Sequence, residues 1–166
     1  MIIGIISDTH DNLDALRYWI DYFNQEDVDV LLHAGDVISP FCVSALSSFE
    51  GSVYVTFGNN DGDRETLKKK AEDTEVHFKE SPVTLDLTEC TVAMSHKPSD
   101  LPDDVSGSVD LMIHGHTHER REDWSSDVPV VNPGEAGGWI TGTSSVALAE
   151  TADDTIYLDF ELVPSP

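Results

Sequence analysis

The chain has 166 residues, of which 39% are hydrophobic, and these values fit one globular domain with a core of its own and exclude wholesale disorder. Acidic residues outnumber basic residues by 32 to 9, which gives a formal net charge of −23 at pH 7. Such a charge disfavours a nucleic-acid partner, because nucleic acids are bound through Lys and Arg.

The acids are scattered along the whole chain and are not gathered in a tail. In dilute buffer they repel one another and destabilise the compact state. In ~1 M salt the Debye length falls to ~3 Å, and this repulsion largely disappears. The composition therefore favours a protein of a salt-accumulating (halophilic) organism over a local acidic interaction surface. In molar salt the argument against nucleic acid also weakens.

The N-terminus enters an apolar run at residues 2–6, with no basic leader and no cleavage site. That run is far too short to span a membrane, and no later stretch approaches the required ~20 apolar residues. We therefore expect a cytoplasmic protein.

Cys42 and Cys90 are the only cysteines. Two isolated thiols make neither a disulfide framework nor a Cys-x-x-Cys pair. We interpret both as small buried hydrophobic side chains and expect no thiolate ligand to a metal.

The first half of the chain alternates between strand-like and helix-like segments. Asn12 can cap a helix, because apolar residues follow it at helical spacing to Phe23. Ser39-Pro40 can open a second helix, with proline at its first position. The pattern predicts strands at 1–7, 28–33 and 52–57, and helices from 13, over 40–48 and over 61–72. This rhythm predicts right-handed crossovers and a parallel sheet.

The second half is rich in strands with short connections. The predicted strands cover residues 83–87, 91–95, 109–114, 128–131, 144–149 and 155–162. Residues 84–87 and 156–160 alternate between apolar and polar, as half-exposed antiparallel strands do. We therefore predict two sheets packed face to face with helices outside. The polar segment 99–108 is predicted to be a mobile loop near the site.

Four polar motifs each follow a strand-like run: Ser7-Asp8-Thr9-His10, Gly35-Asp36, Gly58-Asn59-Asn60-Asp61 and Gly115-His116-Thr117-His118. Ligands of open α/β sheets gather at the carboxyl ends of strands, so four such ends predict one site. In extended backbone, residues two apart point the same way, so each Asp-x-His or His-x-His pair could close on one cation. Alternatively, the aspartates cap helices and the histidines are ordinary loop residues. Capping does not explain why histidines and aspartates fall at equivalent places.

In this order, the motifs resemble the calcineurin-like metallophosphoesterase superfamily, and within it the small single-domain prokaryotic phosphodiesterases. The resemblance implies an α/β fold, a four-layer α/β/β/α sandwich of two mixed sheets flanked by helices, with residues 1–166 as one domain. It also implies a metal-dependent phosphodiesterase with two divalent ions and a metal-bridging hydroxide as nucleophile.

The resemblance also assigns seven ligands. Asp8, His10, Asp36 and His118 would hold the first metal, and Asp36, Asn59, His96 and His116 the second, with Asp36 as the bridge. This set contains nitrogen and oxygen but no sulfur, which suits Mn, Fe, Ni or Zn. Manganese is our first choice.

The chain departs from the family pattern at two places. Many superfamily phosphatases carry histidine after the metal asparagine, where this chain has Asn60, which can bind phosphate but cannot act as a general acid. Asn60 is therefore predicted to be catalytic only as a hydrogen-bond donor. Asp61 is predicted either to orient the site or to cap a helix. Lys97 follows His96 where the family usually has glycine, and it either contacts phosphate or is solvated.

Three histidines and one turn are predicted to be structural. We interpret His33 and His114 as buried, hydrogen-bonded groups or supports of ligands, and His77 as a surface residue. The turn at Asn132-Pro133-Gly134 resembles one that the family places near the metals.

Other functions remain open at this stage. The superfamily includes a retromer scaffold subunit, so a non-catalytic protein-binding module is one alternative. A phosphomonoesterase or nucleotide phosphatase is another, because the sequence does not separate diester from monoester substrates. The expected partner is a small phosphate ester, and the resembling phosphodiesterases often form homo-oligomers. A nuclease is disfavoured by the scarcity of Lys and Arg.

Overall fold

The structure is a computed structural model that describes residues 1–102, 108–153 and 155–165. The central part of the predicted mobile loop, residues 103–107, lies outside the described residues. The α-helices are α1 (Leu13–Gln25), α2 (Cys42–Leu46) and α3 (Arg64–Ala71), and a short 3₁₀ helix covers Pro98–Asp100. The strands are β1 (Ile2–Ile6), β2 (Val30–His33), β3 (Ser52–Thr56), β4 (Val76–Lys79), β5 (Val83–Asp86), β6 (Thr91–Met94), β7 (Leu111–Ile113), β8 (Arg121–Asp123), β9 (Val130–Asn132), β10 (Thr143–Ala152) and β11 (Thr155–Pro164).

The first sheet has six strands in the order β11-β10-β1-β2-β3-β4. Strands β1 to β4 are parallel, β10 pairs antiparallel with β1, and β11 pairs antiparallel with β10, with Ile5 of β1 opposite both Leu32 and Ala147. The helices cover its outer face with a core that includes Leu16, Trp19 and Phe23, all fully buried.

The second sheet has five strands in the order β5-β6-β7-β9-β8, in which β6, β7 and β9 are parallel. Its inner face packs on the first sheet through a core that includes Ile3, Leu32, Val92 and Ile113. Its outer face carries a smaller cluster of Ala93, Val109, Met112 and Val128, which Leu101 partly covers after the 3₁₀ helix.

The predicted α/β architecture of two mixed sheets with flanking helices is confirmed. The sequence pattern missed two strands, β4 and β8. Both are edge strands with charged residues, as in Arg121-Glu122-Asp123, and they exist because a neighbouring strand offers hydrogen bonds. Among the described residues, no helix combines the length and apolar character that crossing a membrane requires.

The helix boundaries show where capping was predicted well and where it was not. Asn12 caps α1 as expected, because its side chain accepts the Ala15 N–H. Helix α2 begins after Phe41 and not at Pro40, since the amide and hydroxyl of Ser39 both donate to Asp11. Asp63 caps α3, which leaves the Asp61 carboxylate free for other partners.

The surface charge is weakly compensated. Among the residues that the structure describes, Lys or Arg forms ion pairs with three acids, Asp14, Glu80 and Asp123, and all these pairs are exposed. Exposed pairs contribute little to stability. Most of the 32 acids therefore have no Lys or Arg partner among the described residues, and only the solvent and its salt weaken their mutual repulsion.

We expect the thermal midpoint of unfolding to rise as KCl is increased from 0.1 to ~2 M, because salt screens this repulsion. A rise on the order of 5 °C would correspond to about 1–2 kcal/mol for a chain of this size. Differential scanning calorimetry in chelator would measure it without metal effects. A midpoint that does not change with salt would contradict the halophilic interpretation.

Candidate metal centre

The structure brings the predicted ligands to one edge of the molecule, where the two sheets meet. The segments that follow β1, β2 and β3 come from the first sheet, and those that follow β6 and β7 come from the second. The parallel direction within each group places all five carboxyl ends at the same edge, as predicted.

Asp8, His10 and His118 form the first cluster. Asp8 Oδ1 lies 3.4 Å from His118 Nε2 and 3.6 Å from His10 Nε2, and the two nitrogens are 3.3 Å apart. Ligand atoms that share one ion at ~2.0–2.2 Å stand about 3–3.6 Å from each other. Asp8 Oδ1 is also buried without a hydrogen-bond partner. A divalent cation would satisfy this oxygen, so the residues present fit the metal that the motifs imply.

Asp8, Asp36 and His96 form the second cluster. His96 Nε2 lies 3.4 Å from Asp36 Oδ2 and 3.0 Å from Asn59 Oδ1. Asp36 Oδ2 is also 3.7 Å from His10 Nε2, so this one oxygen lies between the two clusters. The exposed His116 lies at the rim, with its ring centroid 5.1 Å from that of His96.

The backbone at the ligands differs from the extended conformation that we expected. Five of the predicted ligands have left-handed φ values: Asp8 at 54°, His10 at 43°, Asp36 at 61°, His116 at 70° and His118 at 60°. The predicted extended conformation was therefore wrong, although Asp8 and His10 do converge in one cluster as expected, whereas His116 lies beside His96 and apart from His118. The chain turns sharply instead, and each such residue costs on the order of 1–2 kcal/mol. Hydrogen bonds hold these turns, such as Asp8 N–H to Gly35 O (3.0 Å) and His10 N–H to Asp36 O (3.1 Å).

Two glycines allow the ligands to approach closely. A Cβ atom at Gly115 would collide with Ser7 Oγ and come within 2.7 Å of Asp8 Oδ2, and one at Gly58 would collide with Asp36 Oδ1. The glycines that precede His116 and Asn59 are thus required by space.

A backbone carbonyl orients His96. Its Nδ1 lies 2.8 Å from Ala34 O, and only a protonated nitrogen can bond to a carbonyl oxygen. In the neutral ring the Nε2 lone pair therefore faces Asp36, as a metal ligand requires.

Asp61 supports two ligand segments. Its carboxylate accepts the amide N–H groups of Asp36 (3.1 Å), Ile38 (2.7 Å) and Gly58 (2.7 Å). Asn60 donates to both oxygens of Asp36, from its backbone N–H (2.8 Å) and its side-chain Nδ2 (2.7 Å). The geometry favours an orienting Asp61 over a capping one. The catalytic role of Asn60 stays a prediction, since its amide here faces the predicted bridging ligand.

The electrostatics keep both central carboxylates ionised. Burial by itself would raise the pKa of Asp8, but His10 and Ser7 outweigh burial and lower it. The pKa of Asp36 is likewise held well below its usual range, because His96 and Asn60 oppose burial. The pKa of His10 is raised, mainly by Asp8, and that of His96 is raised because Asp36 outweighs burial. Two ionised carboxylates therefore lie among imidazole nitrogens, a donor set that suits a divalent cation.

Glu135 belongs to the centre but was not predicted. It is 1% exposed, and its Oε1 lies 3.3 Å from His118 Nδ1. Hydrogen bonds from Thr141 and Ile140 oppose the effect of burial and lower its pKa. In the sequence, the only sign of this role was the position of Glu135 directly after the Asn132-Pro133-Gly134 turn. With 32 acids in the chain, that position alone is weak evidence for a site residue.

The Asn132-Pro133-Gly134 turn lies beside the centre. Asn132 Nδ2 donates to Gly115 O (3.0 Å) and Thr117 Oγ1 (2.9 Å), which ties β9 to the segment that carries His116. Nearby, the indole N–H of Trp139 donates to His10 O (3.0 Å) although the residue is 62% exposed.

The histidines that we predicted to be structural lie outside the ligand clusters. His33 and His114 are buried and hydrogen-bonded, and His77 is partly exposed beside the Tyr54 ring. Cys42 and Cys90 are buried and unpaired, as predicted.

Two cavities differ in their relation to the centre. One of ~210 Å³ adjoins the second cluster and is lined by Asn59, Arg64, His96 and Lys97 among others. The larger, ~870 Å³, lies at the opposite ends of the strands, near Met1 and Val109, and is remote from the chemistry.

Residues 1–154 match the model of the calcineurin-like phosphoesterase superfamily domain, and the chain belongs to this superfamily. It is thus placed among hydrolases that act on phosphoester bonds, as the motifs predicted. It is 36% identical over 155 residues to Phosphodiesterase MJ0936 of Methanocaldococcus jannaschii, and the match covers 91% of this chain and 93% of that protein.

Solved structures agree with this assignment. A novel archaeal phosphodiesterase superposes with a TM-score of 0.83 at 32% identity, covering 97% of this chain and 100% of that one. Vps29 of Entamoeba histolytica, solved with Zn²⁺, gives a TM-score of 0.65 at 16% identity with both chains fully covered, and this likeness shows the fold alone.

The buried His33 predicts how stability depends on pH. The Gly35 N–H donates to His33 Nδ1 (3.1 Å), so protonation of that nitrogen would break the bond, and burial lowers the pKa of His33 from 6.5 to about 4. At pH values between 4 and 6.5, His33 is protonated to a greater extent in the unfolded chain than in the folded chain. The stability that the neutral, hydrogen-bonded His33 contributes is therefore lost as the pH falls from 6.5 towards 4.

We expect His33→Asn to remove this pH-dependent part of the free energy of unfolding, which is on the order of 2–3 kcal/mol. Urea unfolding of the metal-free protein at several pH values would measure it as a shrinking difference between wild type and variant. His77→Asn, at a partly exposed position on β4, serves as control. A difference that is constant with pH would show that His33 is not kept neutral by the fold.

Proposed function

We propose that the chain is a metal-dependent phosphodiesterase whose centre holds two divalent ions. The observation that carries this proposal is the position of Asp36 Oδ2, 3.4 Å from His96 Nε2 and 3.7 Å from His10 Nε2. An oxygen between two ligand clusters is what a bridging carboxylate requires. Asp8, His10, Asp36 and His118 would hold the first ion, and Asp36, Asn59, His96 and His116 the second.

When bound, the two ions would supply Lewis acidity towards a phosphate oxygen and hydroxide at neutral pH. Two divalent ions outweigh the two ligand carboxylates, Asp8 and Asp36, by two positive charges, which Asp61 and Glu135 farther out would offset only from a distance, so the ions themselves would attract a phosphate anion. The chain's own residues fix the arrangement, because Asp61 binds the backbone of the segments that carry Asp36 and Asn59. Ligands of nitrogen and oxygen favour manganese in this proposal, with Ni, Fe or Zn as alternatives.

The substrate would be a small phosphodiester. The curated relative at 36% identity is a phosphodiesterase, which supports diester preference. The ~210 Å³ cavity beside Asn59 and His96 offers space for one ester substituent, and Arg64 and Lys97 line it. Asn60 donates to Asp36 and cannot supply a proton, so esters with good leaving groups would be favoured.

The alternative of a protein-binding scaffold rests on the fold shared with Vps29. Fold similarity at 16% identity does not extend to function. The two clusters, with the unsatisfied Asp8 Oδ1 in the first, favour an enzyme. Cytoplasmic location, a halophilic host and homo-oligomerisation belong to the proposal as further expectations.

The test is to strip the protein with chelator, return Mn²⁺ in molar KCl, and compare bis-p-nitrophenyl phosphate with p-nitrophenyl phosphate. We expect metal-dependent turnover with the diester preferred. Asp36→Asn should lower that turnover by about 10³-fold or more and weaken binding of both ions, since an amide carries no charge and cannot bridge.

Asp21→Asn, an exposed position on α1, makes the same change of charge away from the centre and should retain activity. Calorimetric titration with Mn²⁺ and the thermal midpoint would show whether Asp36→Asn remains folded. Turnover retained in folded Asp36→Asn would disprove the bridging role. Wild-type protein that is folded but inactive with every divalent ion would support the scaffold.

Asn60→His tests how the leaving group is protonated. A histidine could act as general acid, so we expect the preference for good over poor leaving groups to shrink by ~10-fold or more. Rates for aryl phosphodiesters of graded leaving-group pKa would give this dependence as a slope. An unchanged slope would mean that this position does not control proton transfer.

A further inference from the structure

Glu135 is a buried carboxylate beside a predicted metal ligand and is outside the seven ligands themselves. We infer that Glu135 is a positioning residue, which fixes the ring of His118 in the form whose Nε2 lone pair faces the first metal. The inference rests on the proposed metal centre and adds to it the device that orients one of its ligands.

The hydrogen bonds of Glu135 distinguish its two oxygens. Oε2 accepts from Thr141 N–H (2.9 Å), Thr141 Oγ1 (3.0 Å) and Ile140 N–H (3.1 Å). Oε1 accepts from Ile140 N–H (3.0 Å) and faces His118 Nδ1 at 3.3 Å. One oxygen is thus anchored by three donors, and this anchoring aims the other at the histidine.

The chemistry of the pair selects a tautomer. An ionised carboxylate only accepts hydrogen bonds, so a favourable partner at this distance is a protonated Nδ1. His118 Nδ1 is buried and has no hydrogen-bond partner among the described residues, and the carboxylate oxygen that it faces is Glu135 Oε1. A hydrogen bond between His118 Nδ1 and Glu135 Oε1 requires only that the Nδ1–H be aligned with this oxygen. With the proton on Nδ1, the neutral ring turns its Nε2 lone pair towards the first cluster, where Asp8 Oδ1 lies 3.4 Å and His10 Nε2 3.3 Å away and where a cation would lie. Asp8 Oδ1 is the competing acceptor on this side of the ring, so Glu135 must hold the proton against it.

His96 shows the same arrangement with a different acceptor. Its Nδ1 is held by Ala34 O at 2.8 Å, which leaves Nε2 facing Asp36. Such outer partners of metal-binding histidines fix tautomer and ring orientation, and their loss typically lowers metal affinity 10–100-fold.

The segment that carries Glu135 is rigidly attached to the first cluster. Ala136 N–H donates to Ser7 O (2.9 Å) and Gly137 N–H to Asp8 O (3.0 Å). The Trp139 indole then reaches His10 O (3.0 Å). One short segment therefore contacts the backbone or side chain of all three residues of this cluster.

The variant Glu135→Gln tests the inference directly, because the N–H and O–H donors around Glu135 should fix the orientation of the new side-chain amide. The amide oxygen should keep the place of Oε2, where three donors meet, so that the NH₂ group takes the place of Oε1 and faces His118. An NH₂ group donates, and it would move the His118 proton from Nδ1 to Nε2. Nε2 could then no longer bind a metal.

Two measurements would report this change. In metal-free protein at pH 9, ¹⁵N NMR of the histidine side chains should show His118 protonated at Nδ1 in wild type and at Nε2 in Glu135→Gln. The His96 ring should stay protonated at Nδ1 in both proteins and serves as internal control. In calorimetric titration with Mn²⁺, Glu135→Gln should lose 10–100-fold in affinity at one of the two sites.

Glu119→Gln is the matched variant, since it removes the same charge at the exposed position next to His118. This variant should keep the His118 tautomer of the wild type, and its Mn²⁺ affinity should differ from that of the wild type by no more than ~2-fold. An unchanged His118 tautomer, or unchanged Mn²⁺ affinity, in Glu135→Gln would overturn the inference. Wild-type protein that binds no divalent ion would instead refute the proposed function, and the tautomer measurement would still decide the role of Glu135.

Discussion

The burial of two ionised carboxylates, Asp8 and Asp36, where the sheets meet is the constraint on which the rest of this edge depends. Each is at most 1% exposed, and an unpaired buried charge is far too costly to persist. Asp8 accepts from Ser7 Oγ and the His116 N–H, and Asp36 accepts twice from Asn60. These partners leave Asp8 Oδ1 unsatisfied, and the imidazoles converge on it.

The unusual local features follow from this burial. Close approach to the carboxylates leaves no room for a Cβ atom at Gly58 or Gly115. After β1, β2 and β7 the chain turns sharply through left-handed residues, and Asp61 holds two of the segments by their amides. The sheets contribute a rigid frame, but the chemistry depends on the few residues that follow each strand.

Much of this could be predicted from sequence, because strand ends and ligand types are local signals. The Ile-rich run before Asp8 and the glycines before Asp36, Asn59 and His116 pointed to candidate ligands, and the structure brings these residues together. The turn conformations could not be predicted in this way, since hydrogen bonds between distant segments impose them. Strand β8 and Glu135 were missed for the same reason, because a neighbouring segment decides what each residue does.

Four buried acids lie at this edge: Asp8, Asp36, Asp61 and Glu135. A cation bound among them would affect the stability of the fold as well as catalysis. Hydrogen bonds and neighbouring imidazoles lower the pKa of Asp8, Asp36 and Glu135, so the fold tolerates these buried charges, and a divalent ion bound among them would stabilise the fold further. The unfolded chain has no preformed site, so binding free energy becomes folding free energy. Metal availability in the cell would then govern how much of this protein is folded as well as how much is active. A chain with a net charge of −23 would then depend on a bound cation at a buried edge where bulk salt screens much less than at the surface.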